Sequence, residues 1–132
     1  MAQPTSEYFE LHPIYVTYKA ASGIVFDRTL AGGSASVEKT VMKTATDREV
    51  ALVTAGLAVF GLLKKVEPDN FCSVHEGRYV VLPTDGTAVA VGDYVVGGAT
   101  AGTVKTRTAE AFLNAKVVAL GAVANTVIVQ LS

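Results

Sequence analysis

The 132-residue chain contains no tryptophan, a single cysteine and few charged side chains. The lone Cys72 excludes an intrachain disulfide, which fits a reducing compartment or an assembly made in one. Lys and Arg number 11 against 12 Asp and Glu, so the basic excess of a nucleic-acid-binding protein is missing. Charged residues make up only 17% of the chain, which indicates that partners cover part of its surface.

Long apolar runs are missing too. The longest, residues 51–63, covers thirteen positions and is interrupted by Thr54, Gly56 and Gly61. A membrane helix needs about 20 apolar residues, so we interpret this run as two strands joined by a turn and expect no membrane partner. The opening residues, MAQPTSEYFELHP, show no basic start followed by an apolar stretch, so no secretory signal is expected.

Reactive side chains form no recognisable catalytic or metal-binding group. Cys72 and His75 lie close in sequence, but their odd spacing on a strand points them to opposite faces. A metal site needs more ligands, and only His12 remains. The aspartates lie beside turns, where such side chains bond their own backbone. The sequence therefore predicts no catalytic residue, no metal and no cofactor.

A lysine-modified carrier domain is one alternative. The run at residues 41–44, VMKT, is similar to the Met-Lys hairpin of biotinyl and lipoyl carrier domains, in which the lysine is modified. In those domains the lysine occupies an exposed turn, whereas Lys43 falls in a strand-like run and the turn follows at Asp47-Arg48. A carrier is therefore disfavoured, and an enzyme is disfavoured because no acid–base group is recognisable.

The chain does contain short apolar runs punctuated by glycine, and these predict strands. Half of the residues are apolar, supplied mainly by Val and Ala. The clearest stretch is residues 78–106, in which Gly supplies the positive φ that sharp turns need. Its four predicted strands are residues 78–82, 88–91, 94–96 and 103–106.

Further strands are predicted on both sides of this stretch. The predicted hairpins pair residues 37–46 with 49–54, 71–75 with 78–82, and 116–123 with 126–131. The run 57–67 is long for a strand, and Gly61 within it indicates a bend. Residues 108–115 are a helix candidate with Thr108 as N-cap, but at about two turns a single turn or a loop is equally compatible.

Together these patterns predict an all-β fold, a compact small β-barrel or sandwich of short antiparallel strands with an extended N-terminal arm and at most one short helix. We expect the arm at residues 1–36 and the β-barrel domain at residues 37–132. The arm holds three of the five Tyr and two of the five Phe, with a possible strand at residues 14–18. Aromatics in an irregular segment indicate docking on a barrel, a neighbouring subunit or a partner. A first hairpin of the same domain is the alternative.

From Val50 onward the chain resembles the small β-barrel decoration, or cement, proteins of tailed-bacteriophage capsids. The residues that carry the resemblance are FGLLKKVE at 60–67, EGRYVVLP at 76–83, VGDYVV at 91–96, AGTV at 101–104, and the closing hairpin of 117–121 and 126–131. These are patterns of strands and turns, not catalytic signatures. They cover about the last two-thirds of the chain.

The resemblance implies a non-enzymatic virion protein on the outer surface of the capsid, where it binds between capsomers and stabilises the shell. The implied partners are the major capsid protein and further copies of the chain, with a homotrimer favoured, assembled in the host cytoplasm. No nucleic acid or membrane is expected to bind. The alternatives are a binding module of a tail fibre or baseplate, and a carbohydrate-binding barrel, which the absence of Trp disfavours.

We expect the arm to contact the capsid or a neighbouring subunit. The predicted contact residues are its apolar and aromatic side chains Tyr8, Phe9, Leu11, Ile14, Tyr15 and Tyr18. An extended arm can add a strand to a neighbour's sheet edge and gain main-chain hydrogen bonds there. Removal of residues 1–18 is expected to leave a folded barrel that no longer binds capsids.

Overall fold

The computed structural model describes residues 14–131, and nearly all of its regular structure is β. Its strands in chain order are β1 (Ile14–Ala20), β2 (Thr40–Lys43), β3 (Glu49–Leu52), β4 (Gly61–Val66), β5 (Phe71–Glu76), β6 (Tyr79–Pro83), β7 (Val95–Gly97), β8 (Val104–Thr106), β9 (Ala115–Leu120) and β10 (Thr126–Leu131). Within that range the helical content is one short 3-10 turn at Ala31–Gly33. The predicted all-β class is confirmed, and the helix candidate at 108–115 is a loop that ends where β9 begins.

Five strands close a barrel in the order β1-β3-β2-β4-β5. The hairpin of β2 and β3, predicted across Asp47-Arg48, is confirmed. β1 runs antiparallel to β5 along residues 14–19 and parallel to β3 at Lys19 and Ala20, so one pair departs from the expected antiparallel pattern. Small branched side chains fill the barrel interior, among them Val41, Val50, Leu63, Val66 and Val74.

A three-stranded sheet, in the order β6-β10-β9, covers one side of the barrel, and β7 pairs with β8 in a separate ribbon. The hairpin of β9 and β10 confirms the predicted closing pair. Leu62 of the barrel joins Val80, Leu82 and Val127 of the sheet in a second apolar cluster. Because successive residues on a strand point to opposite faces, Leu63 fills the barrel while Leu62 fills the second cluster. This explains why both faces of β4 are apolar.

Two predictions for the middle of the chain are wrong. β5 and β6 follow one another but do not pair, since β5 pairs with β1 and β4 while β6 pairs with β10. Gly77, at φ 140°, lets the chain cross from the barrel to the sheet. Residues 88–91 form no strand, because the Asp93 carboxylate accepts a hydrogen bond from the Ala90 amide and holds a turn there.

The segment predicted as an arm is part of the barrel from Ile14 onward. β1 is one of the five barrel strands, and Ala20 and Ile24 are buried in the barrel cluster. The division at residue 36 stays a prediction. A truncation through residue 18 cuts into a barrel strand, so the expectation that it leaves the barrel folded is corrected. Tyr8, Phe9 and Leu11 lie outside the described residues.

The structure also bears on membrane spanning. No helix within residues 14–131 has the length and apolar character that crossing a membrane requires.

Candidate contact site

The predicted contact residues that fall within the described chain lie on β1, divided between its two faces. Ile14 and Tyr15 are exposed, at 53% and 56% of their surface, whereas Tyr18 is half-buried. Since side chains alternate along a strand, Ile14 and Tyr18 share one face and Tyr15 lies on the other. β1 therefore presents two exposed side chains and one that packs on the barrel.

Tyr18 is tied to the barrel by two neighbours, Glu76 and Phe60. Its hydroxyl donates a hydrogen bond to Glu76 Oε2 at 2.7 Å. Its ring meets Phe60 edge-on, with centroids 5.5 Å apart, and Lys43 Nζ in turn lies 4.8 Å from the centroid of the Phe60 ring. Burial raises the pKa of Tyr18 to about 12, and the hydrogen bond and negative charge of Glu76 add to the shift. Tyr18 therefore anchors β1, and its contact with a capsid or neighbouring subunit stays a prediction.

Replacing Tyr18 with Phe removes the hydroxyl and keeps the ring. We expect a loss of about 1 kcal/mol in unfolding free energy at neutral pH, because a hydrogen bond to a carboxylate is lost. The folded pKa of Tyr18 exceeds the ordinary tyrosine value of 10.0, so this contribution is fully present below pH 10.0 and is lost as the pH rises towards 12. Urea unfolding measured between pH 10.0 and 12 should show that the unfolding free energies of the unmodified protein and Tyr18→Phe converge. Tyr15→Phe, which alters an exposed tyrosine, serves as the control, and a constant difference would contradict the assignment.

Tyr15 lies against His75, and the barrel wall separates both from Cys72. The rings of Tyr15 and His75 are 5.5 Å apart. His75 pairs in register with Tyr15 and Leu62, whereas Cys72 pairs with Tyr18 on the inner face, so the predicted opposite orientation is confirmed. Burial lowers the pKa of His75, assisted by the charge of Lys64, and burial raises the pKa of Cys72 to about 11. Burial therefore keeps the Cys72 thiol in its protonated, less reactive form at neutral pH.

Among the described residues 14–131, no strand pairs with one edge of β1 along much of its length. The Lys19 amide donates to Arg48 O at 2.7 Å on the β3 side, and the Ala20 amide donates to Asn70 O at 2.9 Å on the β5 side. Backbone groups of alternate residues point to the same side of a strand. The backbone groups of Tyr15 and Thr17 therefore point to the side where β3 lies.

β3 does not extend far enough to meet those groups. It pairs with β1 at Lys19 and Ala20 alone, so no strand within residues 14–131 lies against Tyr15 and Thr17 on that side. The chain enters β3 from β2 through the turn at residues 44–48, and a cleft of about 250 Å³ is lined by Tyr18 and residues 43–49. Residues 14–18 pair with β5 on one side only. We call their other side, which faces away from β5, the open edge of β1.

Exposed apolar side chains also cluster on two loops that sequence reasoning missed. Phe112 and Leu113 lie exposed in the loop before β9, and the Asn114 amide group donates to Val59 O at 2.8 Å, which holds that loop beside Val59. The helix-forming residues of this segment indicate a helix candidate in the sequence, and the loop conformation instead exposes both large side chains. A second cleft of about 290 Å³ is bordered by Leu120 and Val123, the latter 70% exposed.

Two aspartates, Asp27 and Asp85, stabilise turns. Asp27 accepts hydrogen bonds from the amide and hydroxyl of Thr29, and Asp85 does the same with Thr87, which lowers the pKa of both carboxyl groups. The predicted turn role of these aspartates is confirmed. Across residues 14–131 no three His, Cys, Asp or Glu side chains come together as a metal site would require.

The fold has a counterpart among solved structures. No family model matches this chain, and no curated protein matches it in sequence. The chain is similar to the N base of the head fiber gp8.5 of bacteriophage phi29, with a TM-score of 0.58, 14% identity, and coverage of 92% of this chain and 95% of that one. The likeness extends over nearly the full length of both chains and shows a shared fold.

Proposed function

We propose that this chain is a structural protein of a phage virion that binds the major capsid protein on the outer surface of the head, between capsomers, and stabilises the shell. The observation that carries the proposal is the fold shared with the head fiber base over almost all of both chains. By its name, the phi29 protein is part of a fiber on a phage head. The sequence resemblance to capsid decoration proteins supports the same location independently.

The surface and the interior of the molecule favour contact over catalysis. Large apolar side chains such as Leu113, Leu120 and Val123 are more than half exposed, and apolar surface of this kind is typical of interaction sites. Cys72, the one cysteine of the chain, is buried. These features favour a protein that acts by binding other proteins through its surface.

In this proposal the N-terminal segment makes the contact. Tyr8, Phe9 and Leu11 contact the shell or a neighbouring subunit together with the exposed Ile14 and Tyr15, while Tyr18 anchors the segment to the barrel. The protein associates as a homotrimer and assembles on the head in the host cytoplasm. Many copies, each with a modest contact, stabilise a shell through multivalency.

A sedimentation experiment tests the location on the head. Purified chain is mixed with heads and, separately, with tails from a lysate of the phage that encodes it, and each mixture is separated on a sucrose gradient. We expect the chain to sediment with heads at a fixed number of copies per particle. Chain that remains at the top of both gradients, or sediments with tails, contradicts the proposal.

The shared fold also favours a second candidate, the base of a fibre attached to the head. A fibre base occupies a head position and carries a further fibre polypeptide, whereas a decoration protein covers the shell by itself. Reconstruction of the particle distinguishes them. Density that ends at the barrel supports decoration, and a shaft that continues from the barrel supports a fibre base.

A further inference from the structure

We propose that residues 7–11 of one copy of this chain add as a strand to the open edge of β1 in a second copy. The inference rests on the proposed contact function of the N-terminal segment and names the partner of that segment. It is carried by an unpaired strand edge, a cleft beside that edge, and the position of the segment directly before β1.

The open edge of β1 has the properties of a strand acceptor. The backbone groups of Tyr15 and Thr17 point away from β5, and no strand within residues 14–131 pairs with them on that side. Proteins usually protect such edges with lysine, proline or a bulge. Residues 14–18 hold none of these protections, and five consecutive residues suffice for strand addition, in which main-chain hydrogen bonds supply the affinity.

The cleft beside this edge fits one large side chain. Its volume of about 250 Å³ lies below the ~300–1,000 Å³ of pockets that hold organic ligands. Tyr18 and the cationic residues Lys43 and Arg48 are among the residues that line it. An aromatic ring gains apolar contact with Tyr18 and cation–π attraction from such neighbours. We assign Phe9 of the incoming segment to this cleft.

Pro13 directs the segment towards another copy. A proline restricts the residue before it to extended conformations, and a two-residue hairpin requires positive φ at its first central position. A turn centred on His12-Pro13 therefore opposes folding the segment back onto its own β1. Thirteen residues reach at most about 45 Å, which is enough to cross to an adjacent small domain.

This contact joins different surfaces of the two copies, the segment of one and the β1 edge of the next. Such head-to-tail contacts close into rings when the rotation between copies allows it. A ring of three copies, each giving a segment and receiving one, matches the proposed homotrimer.

Three variants separate the two halves of the contact. The first lacks residues 2–13 and keeps the edge. The second, Thr17→Pro, keeps the segment and blocks the edge, because the Thr17 amide points to the open side and no bond to β5 is lost. The third, Thr17→Val, keeps the amide and the branched shape and serves as the matched control.

Light scattering measures the solution mass of each protein. We expect the unmodified chain and Thr17→Val to associate, and the truncated chain and Thr17→Pro each to be monomeric. An equimolar mixture of the last two should form a one-to-one pair, because one supplies the edge and the other supplies the segment. A mixture that stays monomeric, a Thr17→Pro variant that still associates, or an unmodified chain that is monomeric overturns the proposal.

A peptide experiment does not depend on the proline variant. A synthetic peptide of residues 1–13 is titrated onto the chain that lacks residues 2–13, and a Phe9→Ala peptide is the control. We expect the unmodified peptide to bind at least about tenfold more tightly, the effect of losing one well-packed aromatic contact. Equal binding, or no binding, overturns the assignment of Phe9. Head binding is measured separately, so association without head binding contradicts the proposed function alone, and head binding without association contradicts strand exchange alone.

Discussion

Gly97→Ala is expected to destabilise the fold by about 3 kcal/mol, enough to lower Tm by about 10 °C. A Cβ at Gly97 would overlap the Thr54 carbonyl oxygen and would lie 2.7 Å from its carbon. The backbone cannot move away easily, since the Gly97 amide donates to Leu57 O at 2.8 Å and its carbonyl accepts from the Gly56 amide at 2.9 Å. The substitution therefore forces β7 away from the loop that covers the second apolar cluster.

Gly23→Ala is the matched control for this substitution. A Cβ at Gly23 has no heavy atom within 4 Å, and its φ lies outside the left-handed region. We expect no loss of stability, and a gain of a few tenths of a kcal/mol is compatible with the reduced freedom of the unfolded chain. Thermal unfolding of the two variants beside the unmodified protein measures the difference. Equal Tm values for Gly97→Ala and Gly23→Ala would show that β7 tolerates the displacement.

Deletion of residues 2–18 is expected to abolish the cooperative unfolding transition, whereas deletion of residues 2–13 should leave it intact. The longer deletion removes most of β1, which pairs with β5 at six positions from Ile14 to Lys19. It also removes Tyr18 and so uncovers the barrel interior beside Cys72. Loss of a complete core strand is comparable to the whole stability of a small domain, about 5–15 kcal/mol.

Cys72 reports on this deletion directly. The thiol is buried, and burial raises its pKa to about 11, so alkylation should be slow in the unmodified chain and in the shorter deletion. In the longer deletion we expect alkylation at the rate of the urea-unfolded protein. Equal protection of Cys72 in both deletions would mean that the barrel closes without β1.

Local pairings were predictable from the sequence, and the distant ones were not. The hairpins of β2 with β3 and β9 with β10 are set by a turn of a few residues between two apolar runs. The turn at Gly77 looked the same in sequence, yet there the chain passes from the barrel to the sheet. A residue with positive φ permits a sharp change of direction in each case, Arg48 and Asn125 in the two hairpins and Gly77 at the crossing. Which strand lies alongside is decided by residues far away in the chain.

The contact site also has features that were predictable from the local sequence and features that were not. Aromatic density before residue 19 indicated a contact segment, and Ile14 and Tyr15 are exposed. The anchoring role of Tyr18 was not predictable, because Glu76 and Phe60 lie more than forty positions away in the sequence. The role of Gly97 was not predictable from the sequence either. The glycines of residues 78–106 indicated turns, whereas the actual requirement at Gly97 is the close approach of Thr54.

By itself the sequence determined an all-β protein with two local hairpins, no recognisable reactive group and an apolar surface suited to contact, because composition, strand periodicity and turn chemistry are local properties. Only the tertiary structure decided that β1 completes a barrel between β3 and β5, that β4 contributes to two apolar clusters, and that an open edge remains beside Tyr15 and Thr17. These features arise from pairings such as Ile14 with Glu76, whose register follows from packing of the whole chain.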